Sequence, residues 1–183
     1  MKEKSLIIIL ALLLLTMPAG ATVMNIQVEG KTANPGSRIV IPVKVSGAAN
    51  LGGMDLIVLY NSSVLKYIKT EKGSISSNAI IEANQSHPGL VLISIVDSGG
   101  ISGSGSVCQL SFDVTGNSGS SSYVALSVQG AYTTDLRDIV TNTTSDMVTV
   151  SGNKSLLSLS PLVAIAGILI CYYIVFRQKR RDG

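Results

Sequence analysis

Few residues of this chain are suited to covalent chemistry. His87 is the single histidine and is followed by Pro88 in a polar stretch, and the two cysteines are Cys108 and Cys171. A nucleophile needs a base within hydrogen-bond reach and a third group to orient that base, and nothing in the pattern places His87 beside Cys108. There is no His-Glu-x-x-His, Gly-x-Ser-x-Gly or Walker-type motif, and no Cys/His spacing suited to zinc. The Gly/Ser run at 99–106 lacks the lysine and helix start that a phosphate cradle requires. No Asp-x-Asp-x-Asp-Gly loop offers a calcium site. The sequence therefore predicts no catalytic residue, no metal and no cofactor. The protein reads as a non-enzyme.

Recognition is the chemistry that remains. In residues 54–60, placing Leu56, Val58 and Tyr60 inward leaves Asp55, Ile57 and Leu59 outward. Two outward aliphatic side chains beside a carboxylate suit a protein-binding strand. The pattern alone leaves open that a loop of the same chain covers them. Four Asn-x-Ser/Thr sequons, at Asn61, Asn84, Asn142 and Asn153, permit glycosylation.

The elements that would carry these residues are short strands. Residues 24–28, 39–45, 54–60, 65–70, 79–83, 90–96, 107–114, 123–128 (continued at 130–132) and 146–150 read as strands. Between them lie turn or loop residues at 34–37, 46–53, 61–63, 84–89, 98–106 and 116–122. Pro42 argues for an edge strand or a bulge. Residues 90–96 are almost wholly apolar, as expected of a strand covered on both faces. In 107–114 Cys108, Leu110, Phe112 and Val114 alternate with polar residues, so Cys108 is expected to be a buried thiol. About nine strands in roughly 130 residues predict an antiparallel β-sandwich, immunoglobulin-like or jelly-roll.

The chain has 183 residues, 46% of them hydrophobic and 14% charged, with a net charge of +3 and no tryptophan. That excess of apolar residues sits at the two ends. Residues 1–21 begin with Lys2 and Lys4, continue through an apolar run at 6–15 and end in Ala19-Gly20-Ala21, the form of a signal peptide cleaved after Ala21. Residues 156–176 are free of charge and long enough to span a bilayer as a helix, with Tyr172 and Tyr173 near one interface. The tail 177–183 contributes Arg177, Lys179, Arg180 and Arg181, which marks the cytoplasmic side. Residues 152–155 form a short linker. The expected topology is single-pass at the cell membrane, with the domain at 22–151 extracellular and the C-terminus cytoplasmic. Cys171 would lie in the membrane, so it cannot pair with Cys108. Residues 22–155 hold eight Lys or Arg and nine Asp or Glu, a net of −1; no basic field exists there to attract nucleic acid.

Taken in order, the motifs of the outer domain resemble those of cohesins, the modules that bind dockerin domains in cellulosomes and related surface assemblies. Residues 36–45 resemble the family's Gly-x-x-Val-x-Val-Pro-Val opening. Gly53-Met54-Asp55-Leu56 through Tyr60-Asn61-Ser62-Ser63-Val64-Leu65 is similar to its third strand and following turn. Ile95-Val96-Asp97-Ser98-Gly99 matches a strand end, residues 110–114 the next strand, and Gly130-Ala131-Tyr132 with Asp135-Leu136 the Gly-x-Phe/Tyr-x-x-x-Asp-Leu segment.

The resemblance implies a nine-stranded jelly-roll with a flat face, including the third strand, that grips dockerin helices non-covalently, calcium belonging to the partner. It places Asp55 as an acidic hydrogen-bonding residue on that face, beside Ile57 and Leu59. Gly53 stands where the type I group commonly has asparagine, and Val96 where it often has glutamate. Leu136 and Asp138 match an apolar anchor and an acidic residue, and His87 lies near an aromatic position. These departures make the face less polar than in the type I group. Asn61, in place of the usual aspartate, creates a sequon. The alternative expectation is a structural or adhesive surface protein with the same sandwich and no dockerin binding. A carbohydrate-binding form of that reading is weakened by the missing tryptophan and aromatic platform.

Overall fold

The computed structural model describes residues 23–152. The predicted leader, the segment 156–176, the tail 177–183, all but the first residue of the linker, Asn153 and Cys171 lie outside the described residues. Among the described residues there are strands and turns but no helix.

The strands are β1 (Met24–Gln27), β2 (Lys31–Ala33), β3 (Arg38–Leu59), β4 (Leu65–Lys72), β5 (Ile80–His87), β6 (Leu90–Val114), β7 (Ser121–Thr133), β8 (Thr141–Thr144) and β9 (Asp146–Val150). Apolar residues on every second position build them. Ile39, Ile41, Val43 and Val45 are buried along the first part of β3, and Met54, Leu56 and Val58 along its last part. β-Branched and aliphatic side chains on one face of a pleat bury against an opposing layer. Each fully buried one contributes about 1.5–3 kcal/mol.

Pairing divides the strands into two layers that share β3 and β6. In the first, β4 and residues 38–45 of β3 flank residues 106–114 of β6, with β1 and β8 beyond β3. In the second, β5 lies beside the start of β6, which pairs with the end of β3, which pairs with β7; the opening residues of β7 continue to β9 and then β2. Phe112 is fully buried between the layers, edge-on to Tyr60 at 5.0 Å and to Tyr67 at 6.0 Å.

The structure departs from the sequence expectations in five places. Residues 46–53 and 98–106 are strand rather than loop, so β3 and β6 each run through from one layer to the other. Ala48 pairs with Gly103 and Leu51 with Ile101, with register shifts clustered between Val43 and Gly53. These are backbone ladders, which small residues satisfy without an apolar signature. Residues 84–87 likewise extend β5 instead of forming a loop. β2 and β8, short and polar, are additional strands. The sandwich is not purely antiparallel, because β1 pairs with β8 and β2 with β9 in parallel. Finally, residues 90–96 are covered on one face only: Val91, Ile93 and Ile95 are buried while Leu92 and Val96 are exposed. Pro42 pairs with Gln109, and β1 reaches only Lys44 to Ser46. Pro42 therefore has a ladder neighbour on one side alone, as its missing N–H demands.

Candidate functional site

The outer face of the second layer gathers the predicted binding residues. Cross-strand register sets them in rows. Ile80, Val96, Gly53 and Tyr132 form one row, and Glu82, Ser94, Asp55 and Gly130 the next. Asn84, Leu92, Ile57 and Ser127 follow, then His87, Leu90, Leu59 and Ala125. Directly opposed side chains on one face stand about 5 Å apart, so the aliphatic members form two patches, Ile80 with Val96 and Leu92 with Ile57 and Leu59, on either side of the polar row that holds Asp55. Leu59 is 46% exposed, Val96 53% and Ile80 65%. Asp55 is exposed and accepts a 2.6 Å hydrogen bond from the Ser94 hydroxyl, which holds its carboxylate against the sheet.

Leu136 stands at one end of this face, and its placement is built into the backbone. The turn after β7 is closed by Leu136 N–H donating to the Thr133 carbonyl and Thr133 N–H to the Arg137 carbonyl. The Thr133 hydroxyl donates to Asp135 at 2.6 Å and accepts from Arg137 N–H. That hydroxyl, more than the neighbouring Arg137, holds the Asp135 carboxyl below the usual carboxylate range. Leu136 itself has φ +61°, the left-handed region that leucine adopts at a cost of about 1 kcal/mol, and is 84% exposed. An apolar side chain held strained in water points to a partner as what compensates.

The turn rests on Gly52. A Cβ there would lie 2.7 Å from the Thr134 nitrogen, so only glycine lets the two backbones approach. Asn50 ties the same contact, donating from Nδ2 to the Thr134 hydroxyl and accepting Thr134 N–H at its carbonyl. Gly52, Gly53, Val96, Tyr132 and Leu136 border a groove of 380 Å³ at this end. Gly53 opens it, because no side chain rises between Val96 and Tyr132.

The structure thus brings together Asp55, Ile57, Leu59 and Val96 by register, and Leu136 with Val96 around the groove. Asp138 is exposed and bridges Tyr132 from the neighbouring chain segment, outside the groove lining. His87 closes the corner beyond Leu90, its Nδ1 3.1 Å from the Ser86 hydroxyl. Cys108 is fully buried, and burial pushes its thiol up to about 12, so it remains protonated and unreactive. Among the described residues no cluster of His, Cys, Asp or Glu is arranged to hold a metal ion. Of the described sequons, Asn84 lies on this face. Asn142 sits on β8, and Asn61 caps its turn, its side-chain oxygen accepting from Ser63 N–H and hydroxyl. Sequence reasoning missed Ile80, Leu92 and Tyr132. Leu92 shares parity with Val96, and that period of two would have exposed it had residues 90–96 not been expected to be covered twice.

The fold and surface together define an all-β sandwich module with one half-apolar outer face. A model of the cohesin domain matches residues 24–150, and the chain belongs to that family. Among solved structures, it is similar to a non-cellulosomal cohesin from the hyperthermophilic archaeon Archaeoglobus fulgidus, at 26% identity and TM-score 0.66, over 73% of this chain and 95% of that one. It is equally similar to the sixth cohesin of scaffoldin B from Acetivibrio cellulolyticus, solved in complex with a mutant Cel5 dockerin. That match has 27% identity and TM-score 0.66, over 71% of this chain and all of that one (100%). A Clostridium thermocellum OlpA cohesin, at 17% identity and TM-score 0.65 over 70% of this chain and 99% of that one, shares the fold. No curated protein sequence matches the chain.

Proposed function

We propose that this protein is a membrane-anchored, cell-surface docking module that captures a dockerin-type partner non-covalently on the outer face of β5, β6, β3 and β7. The observation that carries the reading is the exposed aliphatic surface of Leu59, Leu92 and Val96, with half-buried Ile57 among them, flanking a carboxylate fixed by Ser94. Desolvating those side chains would supply the affinity, and Asp55 and Asp138 would orient the partner by hydrogen bonds. Leu136 would seat in an apolar recess of the partner. The dockerin complex of the Acetivibrio module supports the choice of partner. The leader at 1–21, the apolar segment 156–176 and the basic tail support an anchor that holds the sandwich outside the cell.

The test is capture by the full chain in detergent of calcium-loaded dockerins, beginning with the Cel5 dockerin. Retention that is lost on chelating calcium, and lost again in an Ile57→Glu, Leu59→Glu variant, is the expected result. No retention of any dockerin, with the fold intact, would leave the structural or adhesive reading in its place.

A further inference from the structure

The two ends of the sandwich differ in charge. At one end the turns 34–37, 61–64, 87–89 and 115–120 meet, and hydrogen bonds knit them together. Gly36 N–H donates to the Val114 carbonyl, Thr115 and Gly116 N–H to that of Val64, and Tyr60 N–H to that of Gly89. The last strand finishes here as well: Gly119 N–H donates to the Val150 carbonyl and Ser151 N–H to that of Ala33. None of these turns contains Asp, Glu, Lys or Arg. Just behind these turns Arg38 and Asp113 pair at 2.7 Å, and Lys66 faces Asp113 from β4. The other end carries Asp97, Asp135 and Asp138 against Arg137, with Lys72 beside the turn at 73–79.

The rim of the neutral end is also apolar. Tyr123 and Met147 are directly opposed on β7 and β9, 59% and 46% exposed respectively. Asp146, beside Met147, is engaged by Gly30 N–H and Met147 N–H, which hold its carboxyl below the usual carboxylate range. The sandwich ends at this pole, at Ser151, and the apolar segment 156–176 begins five residues later, a reach of at most ~17 Å.

We infer that this neutral end is a lipid-contacting surface, seated on the bilayer headgroups with Tyr123 and Met147 inserted at the interface. The inference rests on the proposed anchoring. Bringing a fixed charge against a low-dielectric membrane costs desolvation, whereas hydroxyl and amide turns exchange water for headgroup oxygens at little cost. An amphipathic tyrosine ring is favoured at the headgroup level, its ring in the acyl boundary and its hydroxyl in water. Seating this end fixes the orientation of the whole module. The strands stand away from the membrane, and Leu136, the groove and the acidic turn are presented outermost.

The absence of tryptophan gives a clean test. Tyr123→Trp, Met147→Trp and, at the other end of β7, Tyr132→Trp each introduce a single reporter into the full chain, and circular dichroism checks the fold of each. Tyr132 lies nine residues along the strand, ~30 Å away. The proteins are reconstituted into phosphatidylcholine vesicles with and without brominated acyl chains and recovered by flotation. Insertion of 5–10 Å places a side chain within reach of the bromines, so a roughly twofold drop in emission is expected at positions 123 and 147 and none at 132. Flotation without quenching at 123 or 147 would overturn the inference while keeping the anchor. Failure to float would overturn the anchoring reading on which it rests. Equal quenching at 132 would show the module lying on its side and would overturn the orientation.

Discussion

The two outer faces of the sandwich are built from the same two strands, yet they are finished differently. On the first layer, outward positions of β3, β4 and β6 are closed by charge. Arg38 meets Asp113 at 2.7 Å, Lys69 meets Glu71 at 2.7 Å, and Lys44 reaches Glu29 at 2.6 Å. On the second, the equivalent positions of β3 and β6 hold Ile57, Leu59, Leu92 and Val96, with Asp55 as the β3 carboxylate, bonded to a serine rather than to a cation. Exposed ion pairs contribute little stability; their use here is to keep a face wet. A face left half-apolar, with its acid unneutralised, suits the proposed partner. The contrast shows that the fold needs only the inward half of each strand, so the outward half is free to be assigned.

Replacing the shared core should damage both faces at once. Phe112→Ala is expected to cost about 4 kcal/mol, read as a lowered denaturation midpoint, because it empties the space between Tyr60 and Tyr67. A cost below about 1 kcal/mol would mean that the layers do not depend on this ring. Ile57→Glu with Leu59→Glu should separate the faces instead, weakening dockerin capture by roughly 30-fold, about 2 kcal/mol, in titration calorimetry. The melting temperature should fall only modestly, because Leu59 is exposed and Ile57 half-buried. The same pair of charges placed at Val40 and Lys44 on the first layer should leave capture intact.

Leu136→Gly sharpens the comparison further. Relief of the left-handed leucine should raise stability by up to about 1 kcal/mol, while dockerin affinity falls. An affinity that rose together with stability would remove Leu136 from the docking face. The smallest effect belongs to the wet face. The hydrogen bond from Arg38 holds the Asp113 carboxyl below the usual carboxylate range. Its contribution is present above the unfolded value and is lost as pH falls through the folded one. Asp113→Asn should therefore flatten the acid limb of stability slightly in pH-dependent melts, and leave capture at neutral pH unchanged.

Much of the inner half of the fold was legible. The alternation of Cys108, Leu110, Phe112 and Val114 appears in the structure as four buried side chains, because burial on one face writes a period of two into sequence. The crossing segments around Gly47 and Gly103 were not legible, since a backbone ladder selects no side chain. The parallel pairings of β1 and β2 were equally silent: their partners lie more than a hundred residues away. Asp55, Ile57 and Leu59 were readable from parity alone. Val96 and Leu136 came through family resemblance, and Tyr132 needed the register of β7 against Gly53. The error over residues 90–96 is itself informative. A strand apolar on both sides belongs between two covers, and the described residues supply one.

Those parallel pairings also bear on the order in which the molecule can be made. The ribosome delivers β1 and β2 first and β8 and β9 last, yet Met24 pairs with Thr141 and Lys31 with Val148. Until nearly the whole domain has been synthesised, β1 waits with one edge unpaired and β2 with no ladder partner. Closing contacts so remote in sequence is slow, and an open edge invites pairing with other chains meanwhile. Completion of the sandwich is thus timed by its last strands, so a truncation before Thr141 would release chains whose opening strands never find these neighbours.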